Sequence, residues 1–269
     1  MKVFLIILAI FFIVISILLA GAWSMFGEKL TAANSVKKLE EGLYYMEYKG
    51  DYGFDSFLDK GGAASEAAMA DYIVSFLSNG FTKNTTSTVP QNFGCSTLSK
   101  DTLMGRNFDW PGNDDSAMIV HTKPKNGYEA YSTCWLRFLG FGEAWKPEGI
   151  ANQYMSLAAI YVPLDGMNEK GLCVADLVNG DAEQTHQQTD KVDLTTNSAI
   201  RLLLDRAATV DEAITLLEQY DMNSAIGMSH HLAISDAKGR SVVVEYVNND
   251  KSCDFYWKQN YKHGYKFGF

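Results

Sequence analysis

The chain has 269 residues, 47% hydrophobic and 20% charged, which suits one globular domain of 200 or more residues plus an N-terminal appendage. A net charge of −9 and a pI near 5.0 argue against a nucleic-acid surface and against adhesion to anionic lipid through overall charge. No run of Lys and Arg appears to reverse that reading.

Residues Val3 to Ala22 read VFLIILAIFFIVISILLAGA, with Lys2 the one charge before them. About 20 apolar residues cross a bilayer, and the run exceeds the ~7–15 residues of a signal-peptide core. Ala20-Gly21-Ala22 also offers a small-x-small cleavage site. Two readings of residues 1–22 stand: a signal peptide cut after Ala22, or an uncleaved signal anchor, which the length favours. Both place the rest of the chain outside the cytoplasm.

Ser35 to Leu43 reads as a helix, and Gly50 to Gly62 as a Gly- and aromatic-rich loop. Ser65 to Leu77 reads as a second helix. Ser65 is its N-cap, Ala68, Met69, Tyr72, Ile73 and Phe76 form its apolar stripe, and Gly80 stops it. Asn79 to Asn92 is a polar, Thr-rich linker, and its Asn84-Thr85-Thr86 matches a glycosylation sequon.

Next come Gly94-Cys95-Ser96-Thr97-Leu98 and Gly105-Arg106-Asn107-Phe108-Asp109-Trp110. They read as a β-hairpin, with strands Cys95–Leu98 and Leu103–Phe108 joined through Ser99 to Thr102. A hairpin returns to its origin, so the Arg106–Asp109 end lies back beside Cys95. A free thiol, with a pKa of ~8.5, is mostly protonated at neutral pH and needs a base. No histidine stands beside Cys95 in the sequence. Cutting Gly94–Cys95 would give Cys95 an α-amine of pKa about 7.7–8.0, able to serve as base for its own thiol. Asp109 is placed to hold that amine and Arg106 to stabilise the thiolate.

Ala117 to Thr122 reads as a strand, and Tyr128 to Phe141 is aromatic and β-prone. The loop Gly140 to Gly149 carries Phe141, Trp145 and Pro147, which would either wall an acyl pocket or pack the core. Ser156 to Pro163 reads as a strand, Asp165 to Gly171 as a turn and Leu172 to Val178 as the next strand. Gly180 to Lys191 is polar, with His186 a solvated loop residue. Thr195 to Ala208 and Asp211 to Tyr220 read as helices, the second opened by Thr209-Val-Asp-Glu212 at capping-box spacing. His231 to Ser235, the turn Asp236 to Gly239 and Arg240 to Val247 form a hairpin, with Val242-Val-Val244 suggesting burial on both faces. His230-His231 at its entrance lacks carboxylate spacing for a metal. The four cysteines, Cys95, Cys134, Cys173 and Cys253, match no zinc ligand set, and Cys134 and Cys173 read as buried thiols.

Four motifs in one order carry a family resemblance: Gly-Cys95-Ser-Thr, Gly-Arg106-Asn-Phe-Asp109, Gly166-Met-Asn-Glu-Lys-Gly-Leu172, and Ile234-Ser-Asp-Ala-Lys-Gly-Arg-Ser-Val-Val-Val-Glu245. Over roughly Cys95 to Val247 the chain resembles the choloylglycine hydrolase group of N-terminal-nucleophile (Ntn) amidases, which takes in bile salt hydrolases, acid ceramidase-like amidases and penicillin acyltransferase-like peptidases. The resemblance implies an α+β fold, an αββα sandwich of two antiparallel sheets between helical layers. It implies a cysteine amidohydrolase for linear, non-peptide C–N amide bonds, with Cys95, Arg106 and Asp109 as catalytic residues, no cofactor, and a small N-acyl amide as substrate. It divides the chain into a propeptide or small subunit, residues 23–94, and a catalytic domain, residues 95–269, with the N-terminal fragment remaining bound after the cut. Asn168 reads as mainly structural. The family's oxyanion asparagine maps to Val178, so Asn179 would reach the site only through a bulge. The relatives continue past the last hairpin, and the tail from Cys253 to Phe269 matches none of their pattern, which implies a C-terminally incomplete sandwich of uncertain activity. The alternatives are an acyltransferase of the penicillin acyltransferase type and a non-catalytic, membrane-anchored binding protein.

Overall fold

The computed structural model describes residues 2–80, 94–100, 103–109, 116–139, 145–179, 184–247 and 254–259. The expected linker around the sequon, Trp110, Phe141 and Cys253 lie outside the described residues. The fold is α+β.

Helix α1 (Lys2–Ser35) is one uninterrupted rod. Its first turns expose Phe4, Ile7, Phe11, Leu18 and Trp23, while its last turns bury Ala32 and Ala33 in the core. It is the one helix among the described residues long and apolar enough to cross a membrane. The Ser35 hydroxyl donates to the carbonyls of Ala32 and Glu47 and accepts from Glu47 N at 2.8 Å, pinning the helix end to the sheet.

The expected helix Ser35–Leu43 is not formed. Strands β1 (Lys37–Glu40) and β2 (Leu43–Lys49) stand there instead, turned at Gly42 with φ 75°. Tyr44, Met46 and Tyr48 alternate with less buried neighbours, and this period of two, extending beyond the stretch read as helical, sets the local structure. The expected loop holds a short helix, α2 (Phe54–Asp59), whose Phe54, Phe57 and Leu58 are buried. Helix α3 (Glu66–Leu77) starts as expected, with the Ser65 hydroxyl accepting from Ala68 N at 3.2 Å.

Strands β3 (Gly94–Lys100) and β4 (Leu103–Asp109) form the expected antiparallel hairpin, each longer than the sequence suggests. After β5 (Ala117–Lys123) and β6 (Ala130–Trp135) the chain enters a 3₁₀ turn, Leu136–Leu139. Helix α4 (Ile150–Met155) runs directly into a second 3₁₀ segment, Ser156–Tyr161, where a strand was expected. All six of those residues are buried, and a run without alternating polar positions carries no periodicity to separate strand from helix. The expected turn begins as strand β7 (Asp165–Asn168) and closes at Gly171, φ 79°, before β8 (Cys173–Asn179).

Next come β9 (Val192–Thr195), α5 (Thr196–Arg206), α6 (Val210–Leu217) and β10 (Tyr220–Asn223). Thr195 caps α5 in a capping box with Ser198, and the Thr209 hydroxyl caps α6 by accepting from Glu212 N. Then follow β11 (Ser229–Ser235), β12 (Ser241–Val247) and β13 (Asp254–Gln259). The last is an addition to the sequence reading, pairing antiparallel with β12.

Nine strands make one sheet in the order β1-β2-β5-β6-β7-β8-β11-β12-β13. It is mixed rather than antiparallel throughout, because β2 and β5 run parallel over seven residue pairs. β9 and β10 form a separate parallel pair. One face of the large sheet supports the main core, where Met46, Met118, Val174, Leu232 and Val244 meet Ile200, Leu203 and Leu204 of α5. The opposite face of β8 and β11 carries the β3–β4 hairpin, through Leu177 and Ala233. Besides the large sheet, the described residues hold two two-stranded sheets, β3–β4 and β9–β10.

Candidate functional site

The hairpin register pairs Gly94 with Asp109, Cys95 with Phe108 and Thr97 with Arg106. Alternation along β4 turns Met104, Arg106 and Phe108 inward and leaves Leu103, Gly105 and Asn107 exposed. Cys95 is 8% exposed and packs on Leu177, Ala233, Met104 and Phe108. The Arg106 Nη2 lies 3.7 Å from Cys95 Sγ. The expectation that Arg106 returns beside the thiol therefore matches the geometry. Asp109 sits by register across from Gly94, and its side chain lies outside the described residues.

Two groups that the sequence reading missed hold the guanidinium, and a third orients one of them. Its Nη1 donates to Asp165 Oδ2 at 3.2 Å and its Nη2 to the Asp176 carbonyl at 3.3 Å. The Thr133 hydroxyl donates to Asp165 Oδ1 at 2.6 Å, which orients that carboxylate. The Arg106 Cζ also stands 4.6 Å from the centre of the Phe108 ring. Asp165 immediately precedes the Gly-Met-Asn-Glu-Lys-Gly motif, a signal the reading passed over by taking the segment as a turn.

Asn179 corrects a second expectation. The β8–β11 register runs unbroken from Cys173↔Ser235 to Asn179↔Ser229. Asn179 therefore shares the parity of Leu177, which touches Cys95, and needs no bulge to lie on the same face as Cys95. Its Nδ2 lies 3.3 Å from His231 Nε2, and His231 pairs across the strands with Leu177. Its neighbour His230 turns to the other face, which separates the two histidines. His230 Nδ1 meets Asp176 Oδ1 at 2.7 Å and its Nε2 meets the Ala225 carbonyl at 3.0 Å. Burial alone would lower the His230 pKa, but the Asp176 carboxylate and the two hydrogen bonds outweigh it and hold the pKa above the ordinary value.

Apolar rings stand beside the thiol. Phe108, Trp135 and Phe138 meet edge to face, with centroids 5.6 Å apart for Phe108–Trp135 and 5.1 Å for Trp135–Phe138. Trp145, proposed from sequence as a pocket wall or core residue, packs against the main core. Burial pushes the Cys134 and Cys173 thiols up, which disfavours either as a nucleophile beside Cys95. His186, expected in a solvated loop, is exposed and hydrogen-bonds Asn223. Among the described residues no group of three or more His, Cys, Asp or Glu is arranged to hold a metal ion. Asn168 is structural in geometry: it donates to the Leu204 and Ala207 carbonyls and accepts from Lys170 N and Leu172 N.

Comparison with known proteins follows the same residues. A penicillin V acylase of Pectobacterium atrosepticum is 26% identical over 159 residues, covering 54% of this chain and 40% of that protein. A solved penicillin V acylase from Agrobacterium tumefaciens aligns at 18% identity over 61% of this chain and 41% of its own, with a TM-score of 0.34. Two variants of a conjugated bile acid hydrolase from Clostridium perfringens align at 19% identity over 61% and 62% of this chain and 51% of theirs, with TM-scores of 0.40. The chain thus spans 40% to about half of the length of these relatives. The family of linear amide C–N hydrolases matches residues 94–260, from the residue before the thiol through β13 and beyond the Val247 limit read from sequence. By that match, covering more than half its length, the chain belongs to the choloylglycine hydrolase family.

Proposed function

We propose that the chain carries the nucleophile of a cysteine Ntn amidohydrolase that cuts a linear N-acyl amide through a thioester. The observation that carries this reading is the Arg106 guanidinium 3.7 Å from Cys95 Sγ at the mouth of a hairpin that pairs Gly94 with Asp109.

Processing comes first. The Cys95 thiol attacks the Gly94 carbonyl, the acyl group moves from nitrogen to sulfur and frees the Cys95 α-amine, and water then hydrolyses this thioester to the Gly94 carboxylate and the Cys95 thiol. That amine then takes the thiol proton, and the thiolate attacks the substrate carbonyl. The tetrahedral oxyanion collapses to a thioester and the amine leaves protonated, after which water attacks and regenerates the thiol. Arg106 supplies positive charge beside the sulfur, and Asp109 holds the α-amine. Asn179, on the same face as Leu177 at the end of β8, is assigned the role of oxyanion donor in this reading. The Phe108–Trp135–Phe138 rings favour an apolar or aromatic acyl group.

Transfer of the acyl group to an amine in place of water would make the same site an acyltransferase. Residues 1–94 stay bound after the cut in this reading, because β2 is hydrogen-bonded to β5 along its whole length. Helix α1 serves as an export signal or anchor and places the domain outside the cytoplasm. The test is burst release of a chromogenic amine from a panel of N-acyl amides. A burst absent from Cys95→Ala supports the reading, and full turnover by Cys95→Ala overturns it.

A further inference from the structure

Where α1 enters the domain there is a cavity of about 760 Å³ that the amidase reading does not use. Ser24 and Lys29 of α1, Ser56 of α2 and Lys60 just after it, and Tyr72 and Asn79 at α3 line it. Lys29 is 5% exposed. Its ammonium donates to the Phe76 carbonyl and to Asn79 Oδ1 and stands 4.1 Å from the Phe76 ring centre. The Lys60 Nζ stands 5.5 Å from the Tyr72 ring centre, on the same cavity.

Glu28, Asp51 and Lys125 line the same cavity, so its lining carries three lysines against two carboxylates, and both carboxylates already have partners within it. Glu28 accepts from Lys125 at 2.9 Å and from Asp51 N at 3.1 Å, and Asp51 accepts from Gly53 N at 2.7 Å. Among the described residues neither Lys29 nor Lys60 forms a salt bridge. Lys29 is a buried ammonium without a counter-anion, which is costly, and with the exposed Lys60 on the same cavity it favours an anion there.

Depth indicates where that anion comes from. The run Val3–Ala22 is about 30 Å long, the thickness of a hydrocarbon core. Trp23 and Met25 follow it, exposed, at the level where aromatic side chains meet the interface. Lys29 lies seven residues past Ala22, about 10 Å further along the axis. Trp23, Ser24 and Met25, which also line the cavity, lie within about 5 Å of Ala22, so its mouth opens at the depth of lipid headgroups, some 5–8 Å beyond the hydrocarbon, and Lys29 stands just past that layer. A net charge of −9 opposes general adhesion to an anionic surface, so the attraction has to come from a specific pair of cations.

We propose that this cavity binds the phosphate headgroup of an anionic membrane lipid, with Lys29 and Lys60 as its countercharges. The site rests on α1 lying in a bilayer and is independent of amide cleavage. To test it, the full chain is placed in phosphatidylcholine nanodiscs with and without phosphatidylglycerol. It is then delipidated, and native mass spectrometry counts the lipids retained. Phosphatidylglycerol is expected to be retained over phosphatidylcholine, and Lys29→Gln/Lys60→Gln is expected to weaken that retention about tenfold. Lys38→Gln/Lys146→Gln, which removes two lysines paired with Glu41, is expected to leave it unchanged. Should the Lys29 variant misfold, Lys60→Glu alone is expected to lower retention.

Equal retention of the two lipids overturns the proposal, as does unchanged retention in the Lys29/Lys60 and Lys60 variants. Inorganic phosphate binding as tightly as phosphatidylglycerol would make this a free-phosphate site and overturn the lipid assignment. A mature protein that begins at Trp23 and stays monomeric without detergent would also overturn it.

Discussion

Arg106 on the hairpin and Asp165 on the large sheet meet at 3.2 Å, and this contact ties the nucleophile strand to the layer beneath it. Asp165→Asn keeps the shape and removes the charge. A charge-assisted hydrogen bond contributes about 1.5–3 kcal/mol, so the variant is expected to lower the rate of Cys95 acylation roughly 10- to 100-fold. Pre-steady-state kinetics with an N-acyl amide measures this. An unchanged acylation rate would show that Asp165 plays no part in holding the guanidinium.

Processing predicts two pieces, residues 1–94 and 95–269. Intact mass spectrometry of the purified chain should show a new N-terminus at Cys95, with both pieces in one size-exclusion peak. Cys95→Ala should remain whole, and Arg106→Ala and Asp109→Asn should slow the cut. A single uncut chain with amidase turnover would refute the mechanism, because the proposed base would not exist.

Asn179→Ala tests the oxyanion assignment. Removing one donor costs about 10²–10³ in kcat, with little change in KM. A kcat within a few-fold of the parent would leave Asn179 as a strand-end contact of His231.

The His230–Asp176 pair makes stability depend on pH. Its folded pKa is raised above the ordinary 6.5. The folded state therefore holds this proton more tightly than the unfolded state. The contribution is fully present below 6.5 and is lost as pH rises through the folded value. Thermal unfolding across that window should show Tm falling with pH, and His230→Gln should flatten the slope. Parallel slopes for the two proteins would rule the pair out as the cause.

Asn168→Ala removes a buried side chain that makes four hydrogen bonds to the backbone. Leaving two carbonyls and two N–H groups unmatched is expected to cost about 2–4 kcal/mol, read from urea unfolding midpoints. A loss under about half a kcal/mol would mean that water replaces the amide.

The site was legible where the chemistry is local. Cys95, Arg106 and their hairpin followed from a short stretch with one turn, and the caps at Ser65, Thr195 and Thr209 were visible as residue types. What stayed hidden depends on pairing at long range. Asp165, Thr133 and Asp176 reach Arg106 only because β6, β7 and β8 lie side by side beneath the hairpin. Asn179 was set aside by aligning it to a motif, whereas strand parity relative to Leu177 fixes its face. Residues 35–43 were misread because the window ended at Leu43, just where the alternation of Tyr44, Met46 and Tyr48 begins. Residues 156–161, all buried and without alternating polar positions, offered no period at all.

The parallel seam between β2 and β5 would decide where the Cys95 piece resides after a cut. β2 lies before the proposed cut and β5 after it, and α1 belongs to the first piece. If Gly94–Cys95 is hydrolysed as proposed, the Cys95 piece loses its covalent bond to α1. Were α1 to anchor the chain, residence of that piece at the bilayer would become a dissociation equilibrium governed by the seam and the core behind it. Reassembly after full unfolding would become bimolecular and depend on concentration.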